Sequence, residues 1–293
     1  MSKFGIFVHS RSPNAHKVAD EVQAFLQGKC DEVWHTSDWD DSVIVEKIPG
    51  TDVLICLGGD GTMLRAARVV IPHSIPILGV NMGRLGFLAE VRPGELTQRI
   101  RDFLDNRYRV EDRTMLQAQV PAWGVTYHAL NDVVVGRSKI SRPVYVDVSV
   151  NNSRLAVHRC DAMIVASATG STAYSFSAGG PILHPESQDL VLTAVAPHLA
   201  ASRPLVLPPD TEIDLMVSAE QDLVVSIDGQ DERTLTSGDT VSVCGSPHKA
   251  RFVRFSDPQD YYSLLGERLD WLRVLRASDQ PELFELDGIP NAR

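Results

Sequence analysis

Residues 53–62, VLICLGGDGT, constrain the fold more than any other stretch of this chain. TDVLICL (51–57) reads as a strand apolar on both faces. Only a sheet covered by helices on both sides buries such a strand completely. Glycines then break the strand, and GTMLRAARVV (61–70) continues with helical spacing. The neighbouring segments follow the same rhythm. KFGIFVH (3–9), DEVWH (31–35) and IPILGVN (75–81) read as strands. A helix is expected over 12–29, with Ser12 as N-cap, Pro13 in its first position and Gly28 near its end. Another is expected over 92–108, with Pro93 near its start. This βαβ alternation predicts an α/β N-terminal domain with an open, mostly parallel sheet.

After about residue 110 the character changes. MLQAQVPAW, VTYHALNDVVVG, PVYVDVSVNN, RLAVHRC, DAMIVAS, TEIDLMVSA, DLVVSIDGQ, DTVSVCG and KARFVRFS are short, β-branched and often alternating. They predict a β-rich, sandwich-like C-terminal domain, with a hairpin turn at VNNSR (150–154). ESQDLVLTAVAPHLA (186–200) is expected as a helix within it, and helical periodicity returns over 260–278 before an acidic tail. The expected division is an α/β domain at 1–112, a β-rich domain at 113–258, and a segment 259–293 that folds back onto the first.

Composition narrows the function. The chain has 293 residues and a formal charge of −10, which disfavours nucleic acid as a partner because phosphate neutralisation needs a basic face. Its four cysteines, at 30, 56, 160 and 244, have no CxxC spacing, so free thiols are expected rather than zinc ligands or disulfides. No apolar run of 18 residues and no secretory leader are evident, which points to a cytoplasmic protein that does not act at a membrane.

Residues 58–62 are expected beyond the carboxyl end of their strand, where open α/β sheets bind ligands. Gly58, Gly59 and Gly61 would let phosphates approach the main chain, and the helix starting near Thr62 would offer its N–H groups and positive dipole end. Asp60 needs a separate reason, since a carboxylate repels phosphate. It could cap the helix, ligate Mg²⁺, or accept the proton of an attacking hydroxyl. Phosphoryl transfer suits the last role, because its transition state is loose and positioning dominates. The P-loop pattern is absent, and GxGxxG fails because Leu64 stands where glycine is needed.

DAMIVASATGSTAYSFSAGGPILHP (161–185) repeats the logic: a strand empties into a dense set of hydroxyls. Thr172, Tyr174 and Ser177 together suit an adenosine or ribose, with Tyr174 offering a flat face. Asn131-Asp132 interrupts an apolar run and must find polar partners, either in a turn or bulge or on a ribose or adenine. Asp161 is a similar case. His158, His184 and His198 lack metal-ligand spacing and read as structural.

GGDGT after an apolar strand, the Asn-acidic pair about 70 residues on, and TGSTAYS before GGP together resemble the NAD kinase family. NMGRLGFLAE (81–90) and SRPLVLP (202–208) are also similar to family segments. The resemblance implies phosphorylation of NAD to NADP, with ATP or polyphosphate as donor, a divalent metal such as Mg²⁺, and a homodimer or homotetramer. It implies that Asp60 activates the adenosine-ribose 2′-hydroxyl and that Gly61, Leu64 and Phe87 line the nicotinamide side. It further implies that Asn131, Asp132 and Asp161 hold polar groups of NAD, while Thr172, Ala173, Tyr174 and Ser177 surround adenosine or ribose. The family usually carries Glu at the position of Asp132 and proline at that of Ala168. A lipid or sugar kinase sharing GGDGT, or a catalytically silent NAD(P)-binding regulator, is the alternative.

Overall fold

The computed structural model describes residues 2–36, 44, 46–83, 86–138, 142–198, 202–219 and 222–269. Strands β1 (Lys3–Val8), β2 (Glu32–Thr36), β3 (Val53–Gly58) and β4 (Ile77–Asn81) lie parallel in the order β2-β1-β3-β4. The period-2 pattern of β3 decides the layering. Val53, Ile55 and Leu57 pack with helix α1 (Pro13–Leu26) and helix α3 (Leu96–Leu104) on one face. Leu54 and Cys56 pack with helix α2 (Asp60–Val70) on the other. The expected doubly covered parallel sheet is therefore present.

Local signals acted as read at α1, where the Ser12 hydroxyl accepts from the Ala15 amide at 3.3 Å. The helix expected over 92–108 is shorter. A 3₁₀ turn at Pro93–Glu95 leads into α3, which stops before Asn106, a left-handed residue at φ 56°. Tyr108 then stacks on Phe103 instead of extending the helix.

The same sheet continues into the second half of the chain. Strand β5 is Arg109–Gln119, β6 is Thr126–Ala129, β8 is Val144–Val150, β9 is Ser153–Cys160 and β13 is Ile213–Ser218. They assemble around β16, Thr240–Arg254, which pairs with β4, β5 and β13. Where two short strands were expected over 239–245 and 249–256, there is one, bent by a register shift between Gly245 and Lys249. A Cβ on Gly245 would lie 2.8 Å from the Pro209 carbonyl oxygen, so the bulge needs glycine.

A second, antiparallel sheet holds β7 (Asp132–Arg137), β10 (Ala162–Ala166), β11 (Leu190–Val195), β12 (Leu205–Leu207), β14 (Leu223–Ile227) and β15 (Asp231–Leu235), ordered β12-β11-β10-β7-β14-β15. β11 corrects the helix expected over 186–200. Leu190, Val191, Leu192 and Thr193 are all buried, and alternate residues enter different clusters, which a strand between β10 and β12 achieves. The run VTYHALNDVVVG is likewise two strands in different sheets, with the chain crossing at Leu130-Asn131. Val133, Val135, Met163 and Val165 of this sheet pack against Val146, Val148, Leu215 and Val243 of the first, forming the expected sandwich core. At the β8–β9 hairpin, Asn151 and Asn152 take positive φ, as the turn required.

Contacts divide the chain into Met1–Phe255 and Ser256–Arg293. The second unit carries α5, Tyr261–Arg268, preceded by a 3₁₀ turn in which the Asp257 carboxylate accepts from the Gln259 amide. The rest of the helix expected over 260–278, and the acidic tail, lie outside the described residues.

Candidate active site

Two cavities hold the expected site residues, one at the carboxyl end of β3 and one on the antiparallel sheet. The first, about 550 Å³, is lined by His9, Gly59, Gly61, Thr62, Arg65 and Gln230. Gly59 is the residue before α2; the Thr62 and Met63 amides donate to its carbonyl, which leaves those of Asp60 and Gly61 without an intrahelical acceptor. Thr62 is 2% exposed, and its Oγ1 has no hydrogen-bond partner among the described residues. Gly58 ends β3, and a Cβ there would lie 2.3 Å from that same oxygen.

Asp60 does not cap the helix. It is the first helical residue, and its carboxylate reaches across to a loop. Oδ2 accepts from the Phe87 amide at 2.8 Å and Oδ1 from the Leu88 amide at 3.1 Å. Gly86 makes that approach possible, since a Cβ there would stand 2.2 Å from Oδ1. Two backbone donors thus orient the carboxylate.

The second cavity, about 560 Å³, brings together Asn131, Asp132, Asp161, Ala173 and Tyr174 with Arg137, Asp228, Gly229 and Glu232. Asn131 is clamped through its backbone. Its N–H donates to Asp228 Oδ1 at 2.7 Å, and its carbonyl accepts from the Ser167 amide at 2.9 Å. Its carboxamide makes no hydrogen bond among the described residues. Asp161 accepts from Arg137 Nη2 at 2.6 Å. Tyr174 is 45% exposed, so its ring offers a face to the cavity.

Not every expected residue lines a cavity. Leu64 is buried in the apolar core beneath α2. Phe87 enters through its amide. Thr172 donates its hydroxyl to the Thr169 carbonyl at 3.1 Å, and Ser177 is exposed at the end of the short helix α4, Tyr174–Ser177. The other hydroxyls serve the fold: Ser167 Oγ donates to the Leu130 carbonyl, Ser171 Oγ to the Ala168 carbonyl, and Ser175 Oγ meets Thr193 Oγ1.

The Asp228–Gln230 turn was missed as a site from sequence. Asp228 is buried and accepts from the amides of Leu130, Asn131 and Asp132. Gln230 Nε2 donates to the Gly61 carbonyl at 2.6 Å. This turn lends Asp228 and Gly229 to the second cavity and Gln230 to the first. Burial raises the Asp228 carboxyl, opposed by its three backbone donors. Burial, and then the Asp228 charge, push Asp132 up to about 7. The Asp-Gly after an alternating strand was a legible turn signal, but its bonds to residues nearly a hundred positions away were not.

Two family models match: the ATP-NAD kinase N-terminal domain over residues 4–108 and the ATP-NAD kinase C-terminal domain over 130–255. An NAD kinase of Dehalococcoides mccartyi (strain CBDB1) is 35% identical over 271 residues, 91% of this chain and 95% of the relative. One of Moorella thermoacetica is 37% identical over 279 residues, 92% of this chain and 89% of the relative. The chain belongs to the ATP-NAD kinase family. Its activity is accordingly transfer of a phosphoryl group to NAD. The crystal structure of a yeast NADH kinase complexed with NADH has the same fold, with TM-score 0.83 and 22% identity over 98% of this chain and 90% of that one. An NAD kinase from Archaeoglobus fulgidus in complex with ATP gives TM-score 0.75 and 24% identity over 92% of this chain and 99% of that one.

Among the described residues, no three His, Cys, Asp or Glu side chains stand close enough to hold a metal. No described helix is long and apolar enough to cross a membrane.

Proposed function

We propose that the protein phosphorylates the 2′-hydroxyl of the adenosine ribose of NAD with ATP, and that Asp60 orients that hydroxyl. The observation that carries this reading is the Asp228–Gln230 turn, which contributes to both cavities and whose Gln230 bonds to Gly61, the residue after Asp60. NAD occupies the cavity of Asn131, Asp132, Asp161, Ala173 and Tyr174; the Asn131 carboxamide is available to a polar edge and Tyr174 to a ring. The donor phosphates occupy the other, where the start of α2 supplies backbone donors to oxyanions.

Asp60 acts chiefly by position. Its two backbone partners fix the carboxylate, which accepts from the 2′-hydroxyl and aligns it for in-line attack on the γ-phosphorus; the bond from that phosphorus to ADP breaks, ADP leaves, and the hydroxyl proton passes to the carboxylate. A divalent ion such as Mg²⁺ would be held chiefly by the triphosphate itself, since the lining of His9, Gly59, Gly61, Thr62, Arg65 and Gln230 carries no carboxylate, and it would neutralise phosphate charge. The protein works in the cytoplasm as a homodimer or homotetramer. Exposed apolar side chains on neighbouring strands of the first sheet, Tyr145, Leu155, Val157 and Met216, support assembly, which light scattering after gel filtration tests.

Incubation with NAD, ATP and Mg²⁺ should yield 2′-phosphorylated product, and a parallel incubation with polyphosphate reads out the alternative donor. Asp60→Asn should lower kcat by about 10²–10³-fold while NAD binding survives. Unchanged turnover in that variant would refute the role of Asp60.

A further inference from the structure

We infer that Arg254, Glu111 and Arg113 form a buried positioning unit that sets the Asp60 loop and the Tyr174 turn in register with one another. The connection runs without a gap. Leu88 donates its amide to Asp60 and accepts at its carbonyl from Arg254 Nη1 at 2.7 Å. Arg254 Nε and Nη2 donate to Glu111 Oε1 at 3.1 and 3.0 Å. The same oxygen accepts from Arg113 Nε at 2.6 Å, and Arg113 Nη1 reaches Thr169 Oγ1 at 3.3 Å. Thr169 in turn accepts at its carbonyl from Thr172, the residue before Ala173 and Tyr174 in the NAD cavity.

All three charged residues are at most 6% exposed. Buried ion pairs add little net stability over apolar packing, because desolvation offsets the attraction. Fixed geometry is what this one supplies. β5 carries Glu111 and Arg113 on one face at a spacing of two, and the antiparallel pairing of Phe252 with Glu111 places Arg254 close by. Arginine suits both cationic positions, since its planar fork donates in two fixed directions at once. At Arg254 the fork joins a carboxylate to a backbone carbonyl. At Arg113 it joins the same carboxylate to a hydroxyl.

The proposal rests on Asp60 acting as the hydroxyl-orienting group. Its test is a split between kcat and the KM for NAD in Arg254→Lys and Arg113→Lys, each with its melting temperature. Lysine keeps the charge but loses the fork. Arg254→Lys should lower kcat about tenfold with the NAD KM within about twofold, because its damage falls on the Asp60 loop. Arg113→Lys should do the reverse, raising the NAD KM about tenfold with kcat nearly unchanged, because its damage falls on the Tyr174 turn. Should lysine prevent folding, Arg254→Gln and Arg113→Gln carry the same comparison. Identical profiles in the two variants, unchanged kinetics per folded molecule, or failure of all four variants to fold would each overturn the proposal. If instead Asp60→Asn itself left turnover intact, the underlying reading of Asp60 would be at fault rather than the positioning unit.

Discussion

A carboxylate in a glycine turn acquires its direction from residues the turn does not contain. Asp60 is held by the amides of Phe87 and Leu88, and Gly86 keeps the space between them clear. Gly86→Ala should therefore act on chemistry more than on stability. Its Cβ displaces a side-chain carboxylate, and kcat should fall about ten- to a hundredfold with melting temperature little changed. Full activity would show that the Asp60 position tolerates movement. Asp132 makes a second residue-scale prediction. Burial, and then the Asp228 charge, push its carboxyl up to about 7 in the folded protein, against about 4 for an ordinary carboxylate. Between those values the native state holds a proton that the unfolded chain has released. Stability contributed by this group thus declines as pH rises from about 4 to about 7 and stays low above. Asp132→Asn should be more stable than the parent at pH 8, and its advantage should shrink toward pH 4; the slope it retains reports Asp228. Parallel curves of melting temperature against pH for the two proteins would contradict the raised value.

Among the elements, the turn after β10 shows how a hydroxyl-rich segment divides its labour. Ser167, Ser171 and Ser175 are fully buried and bond to the protein, which leaves Ala173 and Tyr174 to face the cavity. Composition alone showed the density of hydroxyls, but the direction of each depends on a turn that no periodicity describes. Gly170 fixes that turn on the crossing chain, since a Cβ there would lie 2.0 Å from the Asn131 carbonyl oxygen. Gly170→Ala should destabilise the protein by about 1–3 kcal/mol in urea unfolding, because backbone on both sides must shift. A loss within measurement error would show that the contact relaxes freely. β11 was misread for a related reason. Its apolar residues fit helical and extended spacing alike, and only its place between β10 and β12 selects the strand.

For the molecule as a whole, β16 is the element that both halves share. It runs from the sandwich, beside β13, to the parallel sheet, where Phe252 aligns with Ile77 of β4. Phe252 is fully buried in the core beneath α2. Phe252→Ala should cost about 3–5 kcal/mol, and Met1–Phe255 should still unfold in one calorimetric transition. Two separated transitions would mean that the halves melt independently.

The sequence by itself determined the strand–glycine–helix turn, the doubly covered parallel sheet, the β-rich second half and the family. Each depends on contacts within a few residues or on a periodicity of two or 3.6, so each leaves a local trace. Tertiary structure alone decided that Asp228 grips the Asn131 backbone, that Gln230 meets Gly61, and that Arg254 and Arg113 share one buried carboxylate. Those partners lie far apart along the chain, and a polar side chain shows no sign in sequence of which buried group it will satisfy until the fold removes water from both.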